Sequence, residues 1–168
     1  MGITTKRTVI EPLKRDDFKV LLEMYFEPES NKYIHPLKDK NQDFYLQFLE
    51  KKMEANNKVV GFWIVKSKDT LEVIGTLNLN EFERLSITHV GCHLKRKFWN
   101  QGYGTELFSR IIQFGFEEMK LKEIYAIVDV QHIISERLLV KLGFLEDRIE
   151  KVGNEELRIL KLKREINR

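Results

Sequence analysis

The stretch "RKFWNQGYGTELFSRIIQFGFEE", Arg96 to Glu118, decides the fold. Bulky and basic residues give way to two glycines one residue apart, Gly102 and Gly104. Leu107, Ile111, Ile112, Phe114 and Gly115 then follow on a helical pattern. A strand ending near Leu94, a turn, and a helix from about Thr105 make a strand–loop–helix unit. The first helical turn has N–H groups with no partner inside the helix, and the helix dipole adds partial positive charge, so phosphate oxygens can be held by backbone alone. Glycine suits that task because a Cβ would keep the phosphate at a distance. A plain turn before a helix also accounts for the two glycines. A Walker loop does not, since "GYGTE" lacks its lysine, and a dinucleotide fingerprint would need a third glycine in an early βαβ unit.

Working outward, "RTVIEPL" reads as a first strand ended by Pro12. In "LKRDDFKVLLEMYFE", Phe18, Leu21, Leu22 and Tyr25 share a helical face, with Asp16 and Asp17 near its start. The loop "PESNKYIHPLKDKNQ" leads to a second helix, "DFYLQFLEKKMEA". The period then changes to that of strands. "VVGFWIV" and "LEVIGTLNLN" flank "KSKDT" as a hairpin, and "SITHVGCHL" is a further strand. Beyond the helix, "EIYAIVD" is the apolar run of a strand buried on both faces. "SERLLVKLGF" is a short helix closed by Gly143, and the tail is a hairpin turning at Gly153-Asn154. This order predicts an α/β fold, a mixed, mostly antiparallel twisted sheet of six to seven strands with helices on both faces, in a single domain over 1–168.

A chain of 168 residues can bury a core without disulfides or metal. Its net charge of +3 is mild, and lysines alternate with glutamates, so neither a nucleic-acid nor a membrane partner is indicated. Cys92 is the only cysteine, and no His, Asp or Glu cluster has metal-ligand spacing, so no metal is expected. "MGITTKRTVIEPLKRDD" has no apolar core of signal-peptide length, and a cytoplasmic location is the expectation.

From Gly91 to Phe144 the chain resembles the acetyl-CoA core of the GNAT superfamily of N-acetyltransferases, and most of all the branch related to ribosomal-protein N-terminal (alanine/serine) acetyltransferases. That branch shows a Tyr-Trp-Gly-Lys-Gly-Tyr-Ala-Thr-Glu loop and, some thirty residues on, an Asn-x-x-Ser…Lys-Leu-Gly-Phe signature. Here the loop is Phe98-Trp99-Asn100-Gln101-Gly102-Tyr103-Gly104-Thr105-Glu106, and the signature closes with Lys141-Leu142-Gly143-Phe144. The opening "IEPLKRDDFKVLLEMY" is also similar to the branch's first strand and helix.

The resemblance implies acetyl-CoA as co-substrate. Backbone N–H groups from Asn100 through Gln101, Gly102, Tyr103 and Gly104 to Thr105, next to Trp99, would hold its pyrophosphate, and the strand end at Leu94 would pair with the pantetheine arm. Asn100 replaces a glycine, which asparagine tolerates because it accepts left-handed geometry. His132 stands where the branch has a cofactor-contacting asparagine, and an imidazole can likewise donate one hydrogen bond and accept another. The side chain of Glu106 is expected to point away from the phosphate.

Acetyl transfer to an amine needs a neutral amine, donors to the carbonyl oxygen and a proton for the departing thiolate. The resemblance makes Ser135 the candidate acid, although a serine there can instead cap a helix. The tyrosine that other GNAT enzymes use falls at Leu139. His89 is the first candidate base, His93 the second, with Glu81 and Glu83 as alternatives. By alternation His89, Gly91 and His93 share one strand face, and Val90, Cys92 and Leu94 the other. Tyr33 and His35, in the loop between the first two helices, are the expected acceptor contacts. The acceptor would be a protein N-terminus or a small amine such as a polyamine or an aminoglycoside, served by direct transfer in a ternary complex, and a homodimer is possible. The rival reading is a catalytically weak acyl-CoA-binding regulatory or interaction protein with the same fold.

Overall fold

Residues 2–55 and 61–166 are described by a computed structural model, with the side chain of His35 excepted. One eight-stranded sheet organises them, in the order β1-β2-β3-β4-β5-β6-β8-β7. The strands are β1 (Ile3–Thr4), β2 (Thr8–Pro12), β3 (Gly61–Ser67), β4 (Val73–Phe82), β5 (Ile87–Leu94), β6 (Glu123–Asp129), β7 (Leu145–Val152) and β8 (Glu155–Lys163). The α-helices are α1 (Phe18–Tyr25), α2 (Gln42–Ala55), α3 (Tyr103–Glu117) and α4 (Ile133–Lys141). Sequence periodicity gives at most seven of these strands. The eighth is β1, whose two residues are too short to show alternation and exist as a strand because Ile3 and Thr4 pair with Ile10 and Val9. Val59 and Val60, assigned to the third strand by the sequence, lie outside the described residues.

Alternation along the strands sorts the core into two layers. Trp63 and Val65 of β3, with Val90, Cys92 and Leu94 of β5, face α3 and α4 through Leu107, Ile111 and Leu139. Phe62 and Ile64 face the opposite way, onto Phe18, Leu21, Met24, Tyr45 and Leu49 of α1 and α2. Ile87, Tyr125, Leu157 and Ile159 form a third buried cluster. Among the described residues no helix is long and apolar enough to cross a membrane.

Several boundaries differ from the sequence reading by a turn or less. A 3-10 turn at Arg15–Asp17 precedes α1, and Asp17 Oδ2 accepts the Lys14 N–H at 2.9 Å. Helix α3 starts at Tyr103, two residues before Thr105, and α4 at Ile133, two before Ser135. Glu81 belongs to β4 rather than to the loop after it. Gly143 ends α4 at φ +99, and Phe144 N–H returns to the Leu139 carbonyl at 3.1 Å.

The site is positioned by the way two central strands of the sheet part. Strands β5 and β6 are its parallel neighbours, and their register contact is confined to His89–Tyr125 and Val90–Ala126. The remainder of β5, Gly91 to Leu94, pairs with β4 alone, while Ile127 to Asp129 pair with β8. The two strands therefore part toward their carboxyl ends and leave a mouth in the middle of the sheet. Ligands of open α/β sheets bind at that end of the strands.

Candidate active site

The loop leading into α3 turns sharply because two of its residues are left-handed, Asn100 at φ +58 and Gly102 at φ +82. A Cβ is strained in that region, which explains glycine at 102 and a residue of asparagine's tolerance at 100. Gly102 is the N-cap of α3 and no side chain caps the helix.

The long side chains of the loop are tied to the protein. Trp99 Nε1 donates to the Leu94 carbonyl at 2.9 Å, and Gln101 Nε2 donates to the Lys97 carbonyl at 2.6 Å. The ring of Tyr103 meets Phe98 edge-on and lies 3.8 Å beneath the Arg7 guanidinium. With these groups occupied, the loop offers outward its main-chain N–H groups and the positive end of a fifteen-residue helix. That cradle fits a diphosphate: its donors are backbone, its turn needs the two left-handed residues, and Glu106 is turned elsewhere.

Glu106 binds Thr5 Oγ1 at 2.6 Å, the Arg7 N–H at 2.9 Å and Arg7 Nε at 2.7 Å. Burial pushes this carboxyl up, but the Thr5 and Arg7 bonds outweigh it and hold the group below the usual carboxylate range. Arg7 also donates from Nη1 to the Gln101 carbonyl at 3.1 Å. Sequence reasoning missed both Thr5 and Arg7. No local signal could have found them, because they reach the loop from the turn between β1 and β2, about a hundred residues away in the chain.

A groove of about 330 Å³ runs between the start of α3 and α4, lined by Thr105, Ile134, Arg137, Leu138, Lys141 and Leu142. Thr105 thus lies where the loop opens into a cleft flanked by two cations. Ser135 is the third residue of α4 and half-buried, so it sits inside the first turn. The N-cap is His132, without a side-chain cap bond, and a capping role for Ser135 is ruled out.

The two strand histidines occupy different ends of β5. His89 lies at the closed end, opposite Tyr125, with Phe82 edge-on at 5.8 Å. Its Nδ1 donates to the Asn80 carbonyl at 3.0 Å, which leaves Nε2 as the acceptor facing Asn78 Nδ2 at 3.5 Å. Burial pushes its pKa down to about 4 despite that carbonyl. His93 lies at the open end, stacks on Tyr25 at 5.4 Å, and shares a 2.7 Å hydrogen bond with Ser30 Oγ. Burial lowers it to about 4 as well. Ser30 is a third residue that sequence reasoning passed over.

Cys92 packs against the α3 layer, and burial pushes its thiol up to about 12, leaving almost no thiolate for chemistry. The Leu94 carbonyl accepts from Trp99, so it has one lone pair left for a ligand. Tyr33 and His132, assigned from sequence to opposite sides of the site, are in contact, their rings stacked with centroids 4.5 Å apart. The backbone of His35 begins a 3-10 turn, His35–Leu37, and its side chain lies outside the described residues. Among the described residues no group of His, Cys, Asp or Glu could hold a metal ion.

Comparison with known proteins agrees with this geometry. The chain is 27% identical over 146 residues to the "Uncharacterized N-acetyltransferase p20" of Bacillus licheniformis, covering 85% of this chain and 82% of the relative. Its fold matches a ribosomal-protein-S5-alanine acetyltransferase from Vibrio fischeri with a TM-score of 0.75, 17% identity, and coverage of 97% of this chain and 96% of that one. It also matches a spermidine N-acetyltransferase from Vibrio cholerae, solved with CoA and spermine, with a TM-score of 0.77, 15% identity, and coverage of 93% and 95%. The family model described as the acetyltransferase (GNAT) domain matches residues 7–145. A cradle built from left-handed turns, a sheet that opens beside it and this match over most of the chain have one reading: the protein belongs to the GNAT acetyltransferase family.

Proposed function

We propose that the protein is an acetyl-CoA-dependent N-acetyltransferase that moves an acetyl group to a primary amine by direct transfer in a ternary complex. The observation that carries this reading is the mouth between β5 and β6, which opens beside the uncapped start of α3. Acetyl-CoA supplies an acetyl group activated as a thioester. The N–H groups from Asn100 to Thr105 hold the diphosphate, and the free edge of β5 toward Leu94 takes the pantetheine arm. The groove between α3 and α4, with Arg137 and Lys141 on its rim, receives the nucleotide end.

Ser135, in the first turn of α4, gives the departing thiolate its proton and regains one from the attacking nitrogen, which must lose a proton as the amide forms. Neither strand histidine is a store for the amine's proton. A group with a pKa of about 4 takes a proton from an ordinary alkylammonium only at a large energetic cost. The acceptor therefore sheds its proton to water before it attacks, and the site's task is to receive the neutral amine. His93, at the open end of β5, lies on the acceptor's path, while His89 at the closed end supports the strand.

The acceptor is a protein N-terminus or a small amine such as a polyamine or an aminoglycoside. We place the enzyme in the cytoplasm, where acetyl-CoA is made, and take a homodimer as its working form. The test is a thermal-shift titration with acetyl-CoA and with ATP, followed by CoASH release across ribosomal N-terminal peptides, polyamines and aminoglycosides. Stabilisation by acetyl-CoA alone, with release on one acceptor class, is the expected outcome. No shift with acetyl-CoA would sink the reading, and so would parallel double-reciprocal lines with a trapped acetyl-enzyme.

A further inference from the structure

The segment between α1 and α2 runs across the mouth of the sheet. At its near end Glu27 Oε2 accepts the Arg96 N–H at 2.8 Å, just past the end of β5. Ser30 then bonds His93, on β5 itself, at 2.7 Å. Asn31 Nδ2 fixes the turn by donating to the Tyr25 carbonyl at 3.1 Å and to the Tyr45 hydroxyl at 2.9 Å. Three residues after Ser30, the ring of Tyr33 stacks on His132, which follows the end of β6 and caps α4. The centroids are 4.5 Å apart and the planes 17° from parallel. One short piece of chain thus touches β5 on one side of the gap and the β6–α4 corner on the other.

This stack has a chemical consequence at a thioester site. An acetyl thioester can be attacked by an amine, the productive acceptor, or by water, which is present at far higher concentration. Water attack forms a C–O bond, breaks the C–S bond, and yields acetate and CoASH, with one of the water's protons passing to the thiolate and the other to solvent. A site that favours the amine must exclude water from the carbonyl until the amine arrives. A mouth between two parting strands can be covered by an element that reaches both of them. Residues 27–33 do so, and the ring pair is their fastening on the α4 side.

We propose that Tyr33 and His132 form an aromatic clasp that holds the α1–α2 connection over the mouth between β5 and β6, and that the clasp makes the site select an amine over water. This inference rests on the acetyl-CoA reading given above. His132 suits the task because burial lowers its pKa, with Asp129 opposing, which favours the neutral imidazole against the phenol ring. A stacked aromatic pair is worth about two- to tenfold in an equilibrium, enough to keep a surface segment mostly closed while leaving it able to open for an entering ligand.

The test uses the full chain and acetyl-CoA with no amine present. Wild type, Tyr33→Ala, His132→Ala, the double variant and Tyr33→Phe are compared by CoASH release, by thermal shift with acetyl-CoA, and by hydrogen exchange along the backbone. Each alanine variant should hydrolyse acetyl-CoA about two- to tenfold faster than wild type and exchange faster across residues 27–37. The double variant should exceed neither single variant by a further factor, because both remove the same contact. Tyr33→Phe keeps the ring and, with no amine present, should hydrolyse acetyl-CoA more slowly than Tyr33→Ala. Unchanged protection of β4 and β5 identifies an opened clasp rather than a damaged fold. Unaltered hydrolysis, effects that multiply in the double variant, or a Tyr33→Phe variant as leaky as Tyr33→Ala would each overturn the clasp. Failure of wild type to gain stability from acetyl-CoA would instead overturn the reading beneath it.

Discussion

Arg7 and Glu106 meet at 2.7 Å although 99 residues separate them, and the same guanidinium holds the Gln101 carbonyl at 3.1 Å. The pair joins the start of the sheet to the first turn of α3. It also disposes of a carboxylate that would otherwise face an anion at the helix N-terminus. Replacing Arg7 by Ala should raise the acetyl-CoA Kd by about tenfold, the usual scale for losing a charge-assisted bond in a half-buried setting. Adding Glu106→Gln to that variant should restore much of the affinity, since the freed charge is then gone. Calorimetric titration of the two variants checks this, and a double variant no better than Arg7→Ala would disprove the electrostatic account.

Gly104 offers a cleaner block of the cradle. A Cβ there would meet only Leu138 Cδ1, at 3.4 Å, an ordinary contact, and the residue has no left-handed φ. Gly104→Glu should therefore fold normally, with a Tm within a few degrees of wild type. Its carboxylate at the helix start should abolish the thermal shift with acetyl-CoA. A retained shift would place the cofactor somewhere other than this loop.

Two depressed histidines make separate statements about pH. For the rate, both are neutral well above about pH 5, so neither titrates in the working range. With a saturating thioester, kcat/KM for the acceptor should climb close to tenfold per pH unit between about pH 6 and 8, following the amine's own deprotonation. An inflection near the free-histidine value would show that a histidine serves as base after all.

For stability, the unfolded chain takes a proton at each position near pH 6.5, whereas the folded chain does so only near pH 4. Stability is thus full above the unfolded value and is lost as pH falls through this window, at about 1 to 3 kcal/mol per histidine. Tm measured from about pH 7.5 to 4.5 should fall, and His93→Gln, which can still bond Ser30, should flatten the fall. An unchanged slope in that variant would remove His93 from the acid response.

Ser135 lies in the first turn of α4 rather than at its cap. Ser135→Ala should leave the Kd for acetyl-CoA within about twofold and lower kcat by about a hundredfold, the scale of one proton transferred in the transition state. Equal loss in binding and turnover would make it a positioning residue, and no loss would take it out of the chemistry.

The elements easiest to read from sequence were those with a strong local period. Leu107, Ile111 and Gly115 announce the buried stripe of α3, and Val90, Cys92 and Leu94 the face of β5 that meets it. The left-handed geometry at Asn100 was reached through the family resemblance, in which a glycine stands at that place. Strand β1 was not, since two residues carry no period and its existence depends on a partner.

Chain order and residue type were enough to locate the strand, the glycine turn and the helix that together hold an anion, because that unit is contiguous and its physics is that of unsatisfied backbone groups. The three-dimensional fold decided the rest: that Arg7 steadies Glu106, that Ser30 meets His93, and that Tyr33 lies flat on His132. Each of these contacts joins residues 63 to 99 positions apart. They come into being only when the sheet sets its strands side by side, and no local pattern of hydrophobicity or turn propensity carries that information.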